Sequence, residues 1–132
     1  MRRAQLLIVA ALAIGGVCPA LAASSAPVTL PLKLGTYETP KCGQTYDGVD
    51  EPFELSKKGY FDDGDTGNVT FVAVASMGQN RYRIRTLSYD ETGRGHYFSE
   101  VWQVLDAKSF TVVSASWDSS FQPTTYRYCG SK

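Results

Sequence analysis

From Val69 to Cys129 the chain is a series of apolar and β-branched runs cut by short turn clusters, and that pattern confines it to an antiparallel β fold. Val69 to Met77 (VTFVAVASM) is apolar on both faces and stops at Gly78-Gln79-Asn80. Arg81 to Tyr89 (RYRIRTLSY) follows, then a turn from Asp90 to Gly95 and a run from His96 to Leu105 (HYFSEVWQVL). Asp106-Ala107-Lys108 turns the chain into Ser109 to Trp117 (SFTVVSASW). A looser loop, Asp118 to Pro123, precedes Thr124 to Cys129 (TTYRYC). Connections this short join antiparallel neighbours, because parallel strands need a crossover of a dozen residues or more.

The first half is fainter. Pro27 and Pro31 make Ala23 to Lys33 an extended tail rather than a helix. Leu34 to Glu38 reads as a first strand ended by Pro40, and Phe53-Glu54-Leu55 as a short second one. Cys42 to Glu51 is a polar loop, and Lys57 to Asn68 (KKGYFDDGDTGN) is turn-rich. The expected architecture is all-β: one antiparallel meander over residues 34–132, of six to eight strands, closed into a small barrel or flattened into a sandwich.

Ahead of this domain, Met1 to Gln5 carries Arg2 and Arg3, and Leu6 to Val17 is an uncharged apolar run of 12 residues. A bilayer-spanning helix needs about 20 residues, whereas a signal-peptide core is of this length. Ala20 and Ala22 place cleavage after Ala22, making residues 1–22 a secretory signal. A short anchor or buried helix is the competing reading. Lipidation of Cys18 is disfavoured by Val17, which stands where that signal needs a small residue. The remainder is 110 residues with 11 basic and 13 acidic side chains, a formal charge near −2. Affinity for nucleic acid through phosphate neutralisation is not expected of such a chain. Nor does a later apolar stretch approach membrane-spanning length. A periplasmic or secreted location follows.

Cys42 and Cys129 are the cysteines left after cleavage. In an oxidising compartment they most simply pair, against the alternatives of free thiols or an intermolecular bridge. Such a bridge closes 87 residue steps and ties the first strand's exit to the last strand, which fits a barrel better than an open sheet.

No pattern of residues specifies catalysis, a metal or a cofactor. His96 is the single histidine, and the G-x-S-x-G elbow is absent. Asp62, Asp63 and Asp65 evoke a calcium loop, but counting from Asp63 puts Gly67, Asn68 and Val74 at positions five, six and twelve, where the EF-hand needs an oxygen ligand, a glycine and an acid. The most specific local signal is Arg81, Arg83 and Arg85, which period two places on one strand face. With Arg127 or Arg94 nearby they would form a patch for carboxylates, phosphates or an acidic partner. The plainer expectation is a solvated face with cross-strand partners such as Glu100 or Asp106. The dense aromatics, Trp102, Phe110, Tyr126 and Tyr128 among them, either line a ligand cavity or fill the core.

Gly35-Thr36-Tyr37 near the first strand and Arg127 on the last resemble the lipocalin pattern, an aromatic ring of the first strand under an arginine of the closing strand. The resemblance implies a ligand-binding barrel. The extended tail and single expected disulfide are similar to bacterial metalloprotease inhibitors, periplasmic barrels whose tail enters the protease cleft. Pro31 to Tyr37 (PLKLGTY), Cys42 and Tyr126 to Cys129 (YRYC) look most like short exported proteins of proteobacteria, a likeness that implies no activity. The functional expectation is a non-enzymatic exported binding protein without cofactor, engaging a protein or small ligand through the barrel end or the arginine stripe. Inhibition of an exported protease or lysozyme is the second expectation, and a small hydrolase the third.

Overall fold

A computed structural model describes residues 28–43, 53–62 and 67–131; the expected signal segment 1–22 with its expected cleavage site, and Asp63 and Asp65 of the calcium-like sequence, lie outside these. Eight antiparallel strands run β1 (Gly35–Glu38), β2 (Phe53–Ser56), β3 (Gly59–Asp62), β4 (Gly67–Gly78), β5 (Arg81–Tyr89), β6 (Gly95–Asp106), β7 (Ser109–Ala115) and β8 (Thr124–Gly130). Each pairs with its sequence neighbour, and β1 pairs with β8, so the sheet closes into a barrel. The expected all-β meander is therefore a barrel and not a sandwich. No helix occurs among the described residues, and none is long and apolar enough to cross a membrane.

Strand β3 falls inside Lys57 to Asn68, which is turn-rich in sequence. Its four residues, Gly-Tyr-Phe-Asp, are too few for period two to show, and flanking Lys57-Lys58 and Asp63-Gly64 give turn signals on both sides. Gly59 begins it, where a Cβ would stand 1.8 Å from the Val69 carbonyl oxygen. Only glycine lets β3 approach β4 there. At the other hairpin, Gln79 and Asn80 take φ of 54° and 59°, the left-handed pair that a two-residue turn demands between right-twisted strands.

Aromatic rings fill the barrel. Trp102 stacks on Phe110 with centroids 4.3 Å apart, and Phe110 on Tyr126 at 5.3 Å. Phe53 stacks on Tyr60 at 4.4 Å, while Tyr37, fully buried, meets Phe110 edge-on at 5.2 Å. Such pairs add to the burial of their large apolar surfaces. The aromatics thus divide: those of the inward parity make the core, while Tyr89, Tyr97 and Trp117 are exposed.

Cys42 and Cys129 form the disulfide, with 5.6 Å between their Cα atoms. It fits an oxidising compartment. Closing a loop of 87 steps confines the unfolded chain, an effect the chain-entropy model puts at roughly 4.5 kcal/mol as an upper figure. We expect the Cys42→Ser, Cys129→Ser double variant to lose about 3–4 kcal/mol in urea unfolding under non-reducing conditions. An unchanged midpoint would show that pairing between β1 and β8 closes the barrel unaided.

Candidate functional site

Parity along β5 and β6 decides which charged groups face solvent. Tyr82, Ile84, Thr86 and Ser88 point inward, so Arg81, Arg83 and Arg85 share the outer face and are exposed. The expected partners are elsewhere. Glu100 stands opposite Ile84 and points into the barrel, and Asp106 accepts from the Lys108 amide in the β6–β7 turn. Arg81 instead donates through Nε to Gln103 at 3.1 Å, and Arg85 lies 4.8 Å over the Tyr97 ring. Arg83 sits between Val101 on β6 and Ala75 on β4. Among the described residues no carboxylate is within ion-pair distance of these three guanidinium groups.

Arg127 does not join them. It lies on β8, with β6 and β7 between it and β5, in register with Ser109 and Glu38. Asp106 is held below the ordinary carboxylate range first by the Lys108 amide, then by the Ser109 hydroxyl, and further by the Arg127 charge. Nor does Arg127 cover Tyr37: the β8 ring packed against Tyr37 is Tyr128, at 5.6 Å, and Lys33 Nζ lies 4.8 Å over that second ring. Burial pushes the Tyr37 hydroxyl up to about 12, and it donates to the Lys33 carbonyl at 2.7 Å.

His96 bonds Asp90 at 2.8 Å across the β5–β6 turn. The other Asp90 oxygen accepts from the Thr92 amide, the Thr92 hydroxyl and the Arg94 amide. The Thr92 hydroxyl, His96 and the Arg94 amide hold this exposed carboxyl well below its usual range. The cluster closes a turn, and no hydroxyl or thiol among the described residues hydrogen-bonds to His96. Glu38, Cys42 and Cys129 also lie together, but the two sulfurs are bonded to each other and supply no thiolate.

A buried carboxylate is the feature that sequence reading misassigned. Glu100 is 1% exposed, accepting from Tyr60 Oη at 2.9 Å and Trp102 Nε1 at 3.2 Å. Its parity with Phe98, Trp102 and Val104 is the signal that places it inside. Desolvation raises its pKa to about 7, outweighing the two hydrogen bonds, which favour the charged form; the nearby Asp62 charge raises it further. Tyr60 is pushed far above its ordinary value, by burial first and by Glu100 second.

The β2–β3, β4–β5 and β6–β7 turns gather at one barrel end, which Val28 to Leu34 crosses. Leu32 is buried in the core, and the Lys33 amide donates to the Ala107 carbonyl at 2.7 Å. β4 outruns β3, whose first residue, Gly59, pairs with Thr70; past that point, among the described residues, only the Phe71 amide finds a backbone partner on this side, Lys58. The overhang leaves a cleft of about 810 Å³ between the crossing segment and β4, lined by Leu30, Leu32, Leu55, Lys57, Phe71 and Val74 among others. Its lining holds one lysine and no acid.

No protein-family model matches this sequence, and no curated protein or solved structure matches it significantly. The site therefore stands on its own geometry.

Glu100 makes stability depend on pH. Unfolded, it titrates at its ordinary value of 4.5; folded, it titrates at about 7. Between these pH values the folded chain holds the extra proton, so stability is highest on the acid side and falls as pH rises through the window. The loss is about 3 kcal/mol by pH 8. Glu100→Gln should abolish this slope in urea midpoints measured from pH 5 to 8, and should exceed the parent protein in stability at pH 8.

Proposed function

We propose that this chain is an exported, non-enzymatic binding protein, acting in a periplasm or outside the cell, that takes its ligand in the barrel-end cleft. One observation carries the reading. In a barrel whose middle is filled by rings, about 810 Å³ of largely apolar space opens at one end, between Val28–Leu34 and the overhanging part of β4. Concave, mainly apolar sites with few polar groups are where small ligands and peptide segments gain affinity. The positive, apolar N-terminus of the sequence and the Cys42–Cys129 bridge support export. The space lies at the barrel mouth and not among the central rings.

The other readings have less beneath them. Inhibition of a protease or lysozyme by the tail would draw on residues ahead of Val28, which lie outside the described ones, while Leu32 and Lys33 are tied to the barrel. A hydrolase built on His96 would need a nucleophile on its ring, and no hydroxyl or thiol among the described residues hydrogen-bonds to it.

An uncharged apolar fluorophore, N-phenyl-1-naphthylamine, tests the cleft. Its emission should rise saturably with one site per chain. Val72→Arg, a change at an exposed residue lining the cleft, should weaken binding at least tenfold with the circular dichroism spectrum unchanged. Undiminished binding would locate the apolar site elsewhere.

A further inference from the structure

β4 carries the pattern of a strand covered on both sides, yet half of it is covered on neither its outer face nor one edge. Val69 to Met77 is apolar at both parities. Inward, Val69, Phe71 and Val74 reach the core. Val72, at the cleft, and Met77 are 48% and 47% exposed, large apolar groups left in water. These two are the residues inserted where the β4–β5 register shifts; between them Ala73 to Ser76 pairs regularly with Arg85 to Tyr82. Opposite β5, this stretch has no strand partner among the described residues. A free edge presents a row of backbone donors and acceptors that template another strand.

Among the described residues, the charges beside that edge and cleft are cationic. Arg85 stands opposite Ala73 and Arg83 opposite Ala75, so the cross-strand neighbours of the stripe on β4 are methyl groups. Nothing bulky on β4 separates Arg83 from a strand added to the edge. That strand would lie two strand spacings from β5, about 10 Å, a gap an extended arginine and a glutamate close between them. Lys57, in the β2–β3 turn, lines the cleft on its far side, with Lys58 beside it. Inward-facing side chains of an added strand would enter the cleft against Leu30, Leu55 and Phe71.

We infer that the Ala73–Ser76 edge of β4 receives an extended, acidic segment of a partner protein as a ninth strand, its alternate apolar side chains in the cleft and its carboxylates on the outer face toward Arg83. This rests on the cleft being the binding site and names its occupant. The backbone edge supplies affinity, period-two alternation supplies register, and the arginine stripe selects acidic over basic segments.

The test uses fluorescein-labelled peptides and the purified protein. Fluorescein-Gly-(Val-Glu)₃-Val-amide should bind at least tenfold more tightly than its Val-Lys counterpart at ~50 mM salt, and the margin should shrink as salt rises. Arg83→Glu should reverse the order, weakening the Val-Glu peptide tenfold or more and strengthening the Val-Lys one. Its thermal midpoint should stay near that of the parent, since Arg83 is exposed. N-methylation of alternate peptide amides should abolish binding on one set of residues and leave it intact on the other. Equal binding of both peptides, no reversal with Arg83→Glu, or indifference to N-methylation of either set would overturn the inference. So would a concentration-dependent dimer, seen by sedimentation and lost in Met77→Lys, which would make a second copy the occupant. If the peptides fail while N-phenyl-1-naphthylamine still binds, the cleft stands and the acidic strand falls; if both fail, so does the cleft.

Discussion

Everything in this molecule depends on β1 finding two partners. It is four residues long, and through those residues it pairs with β2 on one side and β8 on the other. The fit is tight: a Cβ on Gly35 would stand 2.6 Å from the Gly130 carbonyl oxygen. Tyr37, its one fully buried side chain, reaches into the ring stack and ties the strand to Phe110 and Tyr128. The disulfide then joins the chain just past β1 to β8. Without this closure the β1 and β8 edges would be open, and Trp102, Phe110 and Phe53 would lose one wall of their enclosure.

Closure also explains the cleft. A barrel needs paired strands all the way round, but not strands of equal length. Four-residue β3 suffices to join β2 to β4, and it leaves the rest of 12-residue β4 without a neighbour on that side. The segment Val28 to Leu34 covers the barrel mouth without adding a strand, because Pro31 lacks a donor and Leu32 turns into the core. An apolar notch with a cationic border is what remains.

The buried carboxylate belongs to the same geometry. Glu100 lies among the rings because its parity gives it no other direction, and it is tolerated because Tyr60 and Trp102 are the two aromatic types in the stack with a proton to donate. Hydrogen bonding meets both oxygens while water is excluded, so desolvation dominates its titration.

Every strand but β3 was legible by residue because strand identity depends on local alternation and turn chemistry: Arg81–Tyr89 is readable end to end, and β4, β6, β7 and β8 to within about two residues. The cysteine pairing followed from Cys42 and Cys129 being the two cysteines outside the N-terminal apolar segment. The exposed arginine stripe followed from period two, as did, in principle, the inward Glu100. What the sequence alone could not settle was everything involving strands distant along the chain. Whether Arg127 joins Arg83 depends on how many strands lie between them around the barrel. Whether β4 is covered depends on where a four-residue strand hidden among turn residues stops. Local alternation determines which way a side chain points. Only the closed, unequal-stranded barrel decides what it meets there, because that depends on register and stagger summed over all eight pairings.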